Sequence, residues 1–106
     1  MKKYLYALML GLSLVSTSAW ADDQVIGIKD HAFLPDKLTV AVGTKVTWVN
    51  HDQDPHTVAE NDKKFRSTAL DTDETYSYTF TTPGTYQYFC TLHPAMAGTI
   101  VVTDAK

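Results

Sequence analysis

The chain is a short, mildly acidic polypeptide of 106 residues, with twelve Asp and Glu side chains against nine Lys and Arg. This length fits one small domain, and the excess of negative charge argues against a nucleic-acid partner, because phosphate-binding surfaces are rich in Lys and Arg. The sequence has one cysteine, so no disulfide can form within the chain.

Residues 1–21 have the pattern of a secretory signal peptide. Two lysines precede an apolar run from Tyr4 to Val15, and Ala19-Trp20-Ala21 has the small-x-small pattern of a cleavage site. The run is shorter than the about 20 residues that a membrane-spanning helix needs. We therefore expect export to the periplasm, cleavage after the tripeptide, a single mature domain of residues 22–106 and no membrane span. Seven basic and twelve acidic residues would remain, a formal charge of −5.

The first half of the mature sequence alternates apolar and polar residues in short runs, as β-strands do. Val25 to Ile28 alternates loosely, whereas Leu38 to Val42 and Lys45 to Asn50 alternate clearly. Gly43-Thr44 lies between the two clear runs and has turn-forming residues. We expect these two runs to pair as a hairpin.

The second half continues the β pattern up to the C-terminus. Thr75 to Phe80 alternates aromatic and hydroxyl side chains, Thr85 to Cys90 follows the Pro83-Gly84 turn, and Gly98 to Val102 is a final apolar run. Residues 60–66 lack the 3.6-residue apolar period of a helix and are expected to form a loop. Six to eight short strands without a helix predict an all-β fold, an antiparallel Greek-key β-sandwich.

A short segment near the C-terminus combines three side chains that bind soft metal ions. Cys90, His93 and Met96 follow one another at intervals of three, and a further histidine, His56, lies upstream between Pro55 and Thr57. A thiolate, imidazoles and a thioether suit copper and suit magnesium or calcium poorly. In an exported protein, a single thiol must pair with another molecule, become oxidised or bind a ligand. We predict a metal site here.

Loops at one end of a sandwich cluster in space, so His56 can meet the other three residues although it is distant in sequence. Zinc would favour a harder donor or a second thiolate in the fourth position, and a catalytic zinc would leave that position open. Met96 would instead fill it. A metal ion without an open position cannot bind a substrate, so we expect one-electron transfer and no enzymatic activity.

From about Val25 to Val102 the sequence resembles the cupredoxins, the small blue copper proteins. Cys90-Thr91-Leu92-His93-Pro94-Ala95-Met96 is similar to the short ligand loop of the amicyanins, whereas plastocyanins and pseudoazurins have a longer gap between the last two ligands. Other residues also fit the pattern of this family: Gly43, Val46 to Asn50, Pro55-His56, Pro83 to Tyr86, Tyr88 and Gly98.

The resemblance implies a cupredoxin-like sandwich with one type 1 copper ion per chain. His56, Cys90 and His93 would be the strong ligands and Met96 the weak axial one. The implied function is a periplasmic electron carrier that cycles between Cu(II) and Cu(I), expected to be a monomer. A c-type cytochrome or a periplasmic dehydrogenase would dock transiently near His93, on an apolar patch of exposed side chains: Leu34, Pro35, Pro55, Pro94 and Ala95.

Two residues depart from the pattern that the resemblance implies. Thr57 stands where the family commonly has Asn, so its N–H can still donate to the Cys90 sulfur but the side-chain link between the two ligand loops must be rebuilt or lost. Leu92 stands where amicyanin-like loops usually have Pro, and its free N–H leads to the hypothesis of a second N–H···S hydrogen bond that raises the reduction potential.

Two other functions remain open, a copper-delivery protein and a detached domain of a multicopper oxidase or reductase. Delivery proteins tend to have open sites rich in Met or His, and the mature sequence has one Met. An 85-residue domain also leaves little room for a second copper centre. His31 and His51 are expected to face solvent without binding the metal, and the Tyr and Trp side chains are expected to form the core.

Overall fold

The computed structural model describes residues 22–104, which form eight β-strands and no helix. The predicted signal peptide, residues 1–21, lies outside the described residues. The strands are β1 (Gln24–Lys29), β2 (Ala32–Leu34), β3 (Lys37–Ala41), β4 (Lys45–Asn50), β5 (Ala59–Glu60), β6 (Thr75–Thr79), β7 (Gly84–Cys90) and β8 (His93–Thr103).

The strands form a sandwich of two four-stranded sheets. One sheet has the order β2-β1-β4-β6 and the other β3-β8-β7-β5. The all-β sandwich of six to eight strands is therefore confirmed. The sheets are mixed, however, because β1 pairs with β4 and β3 pairs with β8 in parallel, while the other pairs are antiparallel. Alternation of side chains has the same period in both arrangements, so the sequence pattern could not distinguish them.

The predicted hairpin between the third and fourth strands is wrong. β3 and β4 belong to different sheets, and the chain passes from one to the other at Gly43, whose φ of 96° favours glycine. The Gly43 N–H donates to the Phe80 carbonyl at 2.7 Å, and the Val42 N–H donates to Thr103 at 2.9 Å. The apolar faces of β3 and β4 thus meet across the core and not along one sheet.

The core between the sheets is dominated by aromatic side chains. Trp48, Tyr88, Phe33 and Phe80 are almost completely buried, and Tyr88 makes edge-to-face contacts with both Trp48 and Phe33. Burying a side chain of this size contributes about 1.5–3 kcal/mol, so these rings hold the two sheets together. Burial also raises the pKa of Tyr88 to about 12. The expectation that the Tyr and Trp side chains form the core is confirmed for these residues.

Cys90 and the ends of the described segment lie at opposite ends of the sandwich. At one end, Asn50 closes β4, and β7 ends at Cys90 beside the start of β8. At the opposite end, Gln24 pairs with Val46 and Thr103 pairs with Ala41. Both ends of the described segment therefore lie away from the Cys90 end.

Among residues 22–104, no helix has the length and apolar character needed to cross a membrane.

Candidate metal centre

Cys90 is the last residue of β7 and is fully buried with a free thiol. Only Thr91 and Leu92 separate it from His93, the first residue of β8, and the strand register shifts between Phe89 and Cys90. This tight turn between two paired strands brings the two side chains together. Cys90 Sγ lies 3.9 Å from His93 Nδ1.

His56 comes from the loop between β4 and β5 and is completely buried. Its backbone exchanges two hydrogen bonds with Leu70, of 3.1 and 2.7 Å, which hold the loop against the following segment. His56 Nδ1 lies 3.7 Å from Cys90 Sγ. With metal–nitrogen and metal–sulfur bonds of about 2.0 and 2.3 Å, two donors of one ion are about 3.5–3.8 Å apart. The 3.7 Å separation of His56 lies within this range and the 3.9 Å separation of His93 slightly exceeds it, so both imidazoles are close enough to the sulfur to share an ion.

Met96 is buried on β8, three residues beyond His93. Along this strand the buried residues alternate with more exposed ones, and Met96, Ile100 and Val102 belong to the same apolar cluster as Cys90. Met96 thus faces the interior of the sandwich. The four predicted ligands provide two imidazoles, one thiolate and one thioether, a donor set that fits copper better than zinc or magnesium.

Thr57 links the two loops that carry the predicted ligands. Its N–H donates to Cys90 Sγ at 3.3 Å, and its hydroxyl lies 3.8 Å from the same sulfur. The hydroxyl also accepts the Thr91 N–H at 2.7 Å and hydrogen-bonds the Thr91 hydroxyl at 2.8 Å. The side-chain link that Asn commonly makes is therefore rebuilt here by two threonines.

The hypothesis of a hydrogen bond from Leu92 to the thiol is not borne out. Within residues 22–104, the backbone N–H that reaches Cys90 Sγ belongs to Thr57, and no hydrogen bond joins Leu92 to the sulfur. The Leu92 side chain is 49% exposed. Thr57 is thus the residue whose N–H can disperse the charge of a Cys90 thiolate.

Asp52 fixes the orientation of the buried His56 ring. Its carboxylate lies 2.9 Å from His56 Nε2, and it also accepts the backbone N–H groups of Asp30 and His31 at 2.7 and 2.9 Å. Burial opposes ionisation of this carboxyl, but the hydrogen bonds from His31, Asp30 and His56 outweigh it and lower its pKa to about 2. When Nε2 donates to Asp52, Nδ1 keeps its lone pair and faces the sulfur.

His31 is exposed to solvent, as expected, but it also lies beside the predicted ligands. Its ring centroid is 4.7 Å from that of His93 and 5.1 Å from that of His56. One ligand atom from each of the three histidines lies within 4.8 Å of the other two. This proximity could not be predicted from the residues alone, because it depends on how the turn after β1 packs over the end of the sandwich.

The other predicted surface residues are exposed. His51 faces solvent, with its ring near Gly27. The five residues of the predicted apolar patch are exposed as well: Leu34, Pro35, Pro55, Pro94 and Ala95. His93 itself is half-buried, next to the buried thiol.

Three comparisons with known proteins agree with this geometry. A family model described as "Cupredoxin-like domain" matches residues 4–102. The amicyanin of Paracoccus versutus is 38% identical over 87 residues, which cover 77% of this chain and 66% of that protein. Amicyanin-alpha of Methylorubrum extorquens is 34% identical over 101 residues, which cover 91% of this chain and 85% of that protein.

The fold comparison gives the same result. The solved structure of an amicyanin mutant in its Cu(I) form superposes with a TM-score of 0.72 and 34% identity, covering 76% of this chain and 81% of that one. The chain spans just under two thirds of the length of the Paracoccus amicyanins that it matches.

Proposed function

The chain belongs to the family of cupredoxin-like domains, and from this membership we propose that it is a one-electron carrier with one type 1 copper ion. His56, Cys90 and His93 are the strong ligands, and Met96 is the weak axial ligand. One observation carries the proposal: the Cys90 sulfur lies 3.7 and 3.9 Å from the Nδ1 atoms of two histidines that are distant from each other in sequence. When bound, copper supplies a reversible Cu(II)/Cu(I) couple.

The residues around the ligands keep the site rigid in this proposal. Asp52 holds the His56 ring, and the Thr57 N–H supports negative charge on Cys90. The hydrogen bonds between Thr57 and Thr91 keep the two ligand loops at a fixed separation. A site that cannot rearrange has little to reorganise when one electron arrives or leaves. Its buried thiolate and filled fourth position give a substrate no place to bind, so we propose no enzymatic activity.

Electrons enter and leave through the edge of His93 in this proposal. His93 is half-buried, whereas His56 and Cys90 are fully buried, so its ring is the ligand nearest to solvent. The apolar patch beside it provides a small docking face of the kind that suits brief encounters. The partners would be redox proteins such as a c-type cytochrome or a periplasmic dehydrogenase, and the carrier would act as a monomer.

We also propose that residues 1–21 are removed during export and that residues 22–106 act in the periplasm as one domain. The support is the sequence pattern of the first 21 residues. The test is expression of the full chain in a Gram-negative host, followed by mass spectrometry of the periplasmic fraction. A mature protein that begins at Asp22 is expected, and a full-length protein retained in the cytoplasm would contradict the proposal.

The copper site is tested by loading the mature protein with one equivalent of Cu(II) and recording its visible spectrum. We expect an intense thiolate-to-copper absorption, loss of that band in Cys90→Ser, and a reversible one-electron titration. A wild-type protein that stays colourless with copper bound would overturn the assignment.

The same preparation separates the two other functions. A delivery protein would pass its copper to a chelator or an acceptor within minutes, whereas a carrier with four protein ligands retains it through many redox cycles. Turnover of nitrite or dioxygen by the loaded protein would instead favour a domain of a copper reductase or oxidase.

A further inference from the structure

The turn between β1 and β2 holds His31 over the metal centre. Asp30 and His31 both have left-handed backbone conformations, with φ of 53° and 57°, and both N–H groups donate to the Asp52 carboxylate. The same carboxylate lies 2.9 Å from His56 Nε2. One acidic side chain therefore fixes His31 relative to His56.

His31 has the hydrogen-bond partner that a metal-binding histidine usually has. Its Nε2 lies 3.0 Å from the Asp54 carboxylate, just as His56 Nε2 lies 2.9 Å from Asp52. A histidine bound to a metal ion commonly donates its other ring N–H to a carboxylate, which orients the ring and makes the free nitrogen more basic. A carboxylate thus holds the Nε2 side of both the His31 and the His56 ring. In each ring Nδ1 keeps its lone pair and can bind a metal ion.

The cluster extends from solvent to the buried thiol. The His31 side chain is 49% exposed, His93 is half-buried, and both His56 and Cys90 are fully buried. An ion that approaches from solvent therefore meets His31 and His93 before it reaches the sulfur. Three imidazoles within 4.8 Å of one another are enough to hold a divalent transition-metal ion without Cys90.

We propose that His31, His56 and His93 form a three-histidine capture site, which binds copper first and from which the ion moves inward as Cys90 becomes a ligand. The inference rests on the proposed copper site, because His56 and His93 belong to both sets of ligands. His31 would belong to the capture site alone. The proton of the Cys90 thiol would leave for solvent when the sulfur binds the ion.

The capture site is tested in a protein that cannot form the copper–thiolate site. Cys90→Ser removes the thiolate and leaves the three histidines, and its binding of Zn²⁺ alone can be measured by isothermal titration calorimetry. We expect one ion per chain and an affinity at least tenfold lower when His31→Asn is added. Asn suits the left-handed backbone of this turn, so the second change removes the imidazole without disturbing the fold. His51→Gln in the same background is the matched control and should leave the affinity as it is.

An unchanged zinc affinity with His31→Asn would overturn the proposal, since His56 and His93 would then bind the ion without His31.

The second measurement uses the protein with its thiol: stopped-flow absorbance after apo protein is mixed with Cu(II) under anaerobic conditions. We expect the copper–thiolate band to form at least tenfold more slowly in His31→Asn than in wild type. An equal rate would overturn the capture role alone, whereas absence of the band in wild type would overturn the proposed function.

Discussion

The properties of the proposed metal site depend on the hydrogen-bond partners of the predicted ligands as well as on the ligands. Asp52 contacts one predicted ligand directly, and Thr57 contacts another. Burial opposes ionisation of Asp52, but the hydrogen bonds from His31, Asp30 and His56 outweigh it and lower the pKa to about 2, so the side chain is a carboxylate at neutral pH. These two residues determine which ring nitrogen of His56 faces the centre and how much charge the Cys90 sulfur can carry.

Asp52→Asn is expected to weaken copper binding about 10- to 100-fold, the usual cost of losing a carboxylate that orients a histidine ligand. The amide would also leave the N–H groups of Asp30 and His31 with a weaker acceptor. Competition with a chelator of known affinity measures the effect. Asp62→Asn, a change at an exposed carboxylate remote from His56, is the control, and equal affinities in the two variants would contradict the role of Asp52.

Thr57→Val is expected to destabilise the apo protein by about 1 kcal/mol, since it leaves the half-buried Thr91 N–H without its acceptor. Valine has nearly the same shape as threonine and keeps the backbone N–H that reaches Cys90. Urea unfolding of the apo protein gives the change in free energy. Thr57→Ser keeps the hydroxyl, so its free energy of unfolding should fall by less than half as much as that of Thr57→Val. A fall of more than half would show that the lost methyl group, and not the hydrogen bond, accounts for the effect.

The sequence identified the residues with distinctive metal chemistry but not the residues that position them. Cys90, His93 and Met96 stood out by their spacing, and the structure places His56 and His93 within 3.9 Å of the sulfur. Asp52 and Thr91 gave no signal, because an Asp or Thr in a loop is common and its partner depends on long-range packing. His31 is at the surface, as expected, but its proximity to His56 and His93 was not predictable for the same reason.

At the scale of single elements, β7 and β8 are the pair that determines the geometry of the site. They run antiparallel from Gly84 and Val102 to Cys90 and His93, and Tyr88 lies opposite Gly98. A Cβ placed on Gly98 would clash with the Tyr88 hydroxyl and would lie 2.5 Å from its Cζ atom. Glycine is required here by the ring of the neighbouring strand.

Gly98→Ala is expected to lower the free energy of unfolding by about 1–3 kcal/mol, because the buried Tyr88 ring would have to move. Thermal unfolding of the apo protein measures the change. Ala97→Ser, on the exposed face of the same strand, is the control. Combining Gly98→Ala with Tyr88→Phe removes the clashing hydroxyl and should recover part of the loss, and a fully additive double variant would contradict the steric explanation.

The strands were predictable as elements, but their partners were not. Alternating side chains revealed β3, β4, β6 and β7, whereas the passage from β3 to β4 was mistaken for a hairpin turn. The three-residue connection Val42-Gly43-Thr44 is compatible with either arrangement. What decides between them is whether the apolar faces of the two strands lie side by side or face each other across the core, which depends on the entire fold.

At the scale of the whole molecule, negative charge is concentrated near the metal centre. The loop after β5 and before β6 hydrogen-bonds to Asn50 and Asp52, so its acidic residues lie at the same end as those beside His31. The acidic residues of this end are Asp30, Asp52, Asp54, Asp71, Asp73 and Glu74. Such an asymmetric charge attracts cationic partners to the end where electrons would be exchanged.

Electron exchange with small charged reagents should show this asymmetry. Oxidation of the reduced protein by the cation tris(1,10-phenanthroline)cobalt(III) is expected to slow at least about threefold between low and high salt, whereas oxidation by the anion ferricyanide should accelerate, because salt screens attraction and repulsion alike. Stopped-flow kinetics measures both rates. Asp73→Asn should reduce the salt dependence more than Asp104→Asn at the opposite end, and equal effects would argue against local steering.

The position of the first and last strands' outer ends has a practical consequence for electrochemistry. Since Gln24 and Thr103 both lie at the far end of the sandwich, a tether attached beyond either one would present the imidazole edge outward. We expect a protein immobilised through its C-terminus to leave the metal-bearing face open to soluble partners. A protein anchored instead by the end that holds the metal would bring the metal close to an electrode and exchange electrons with it directly.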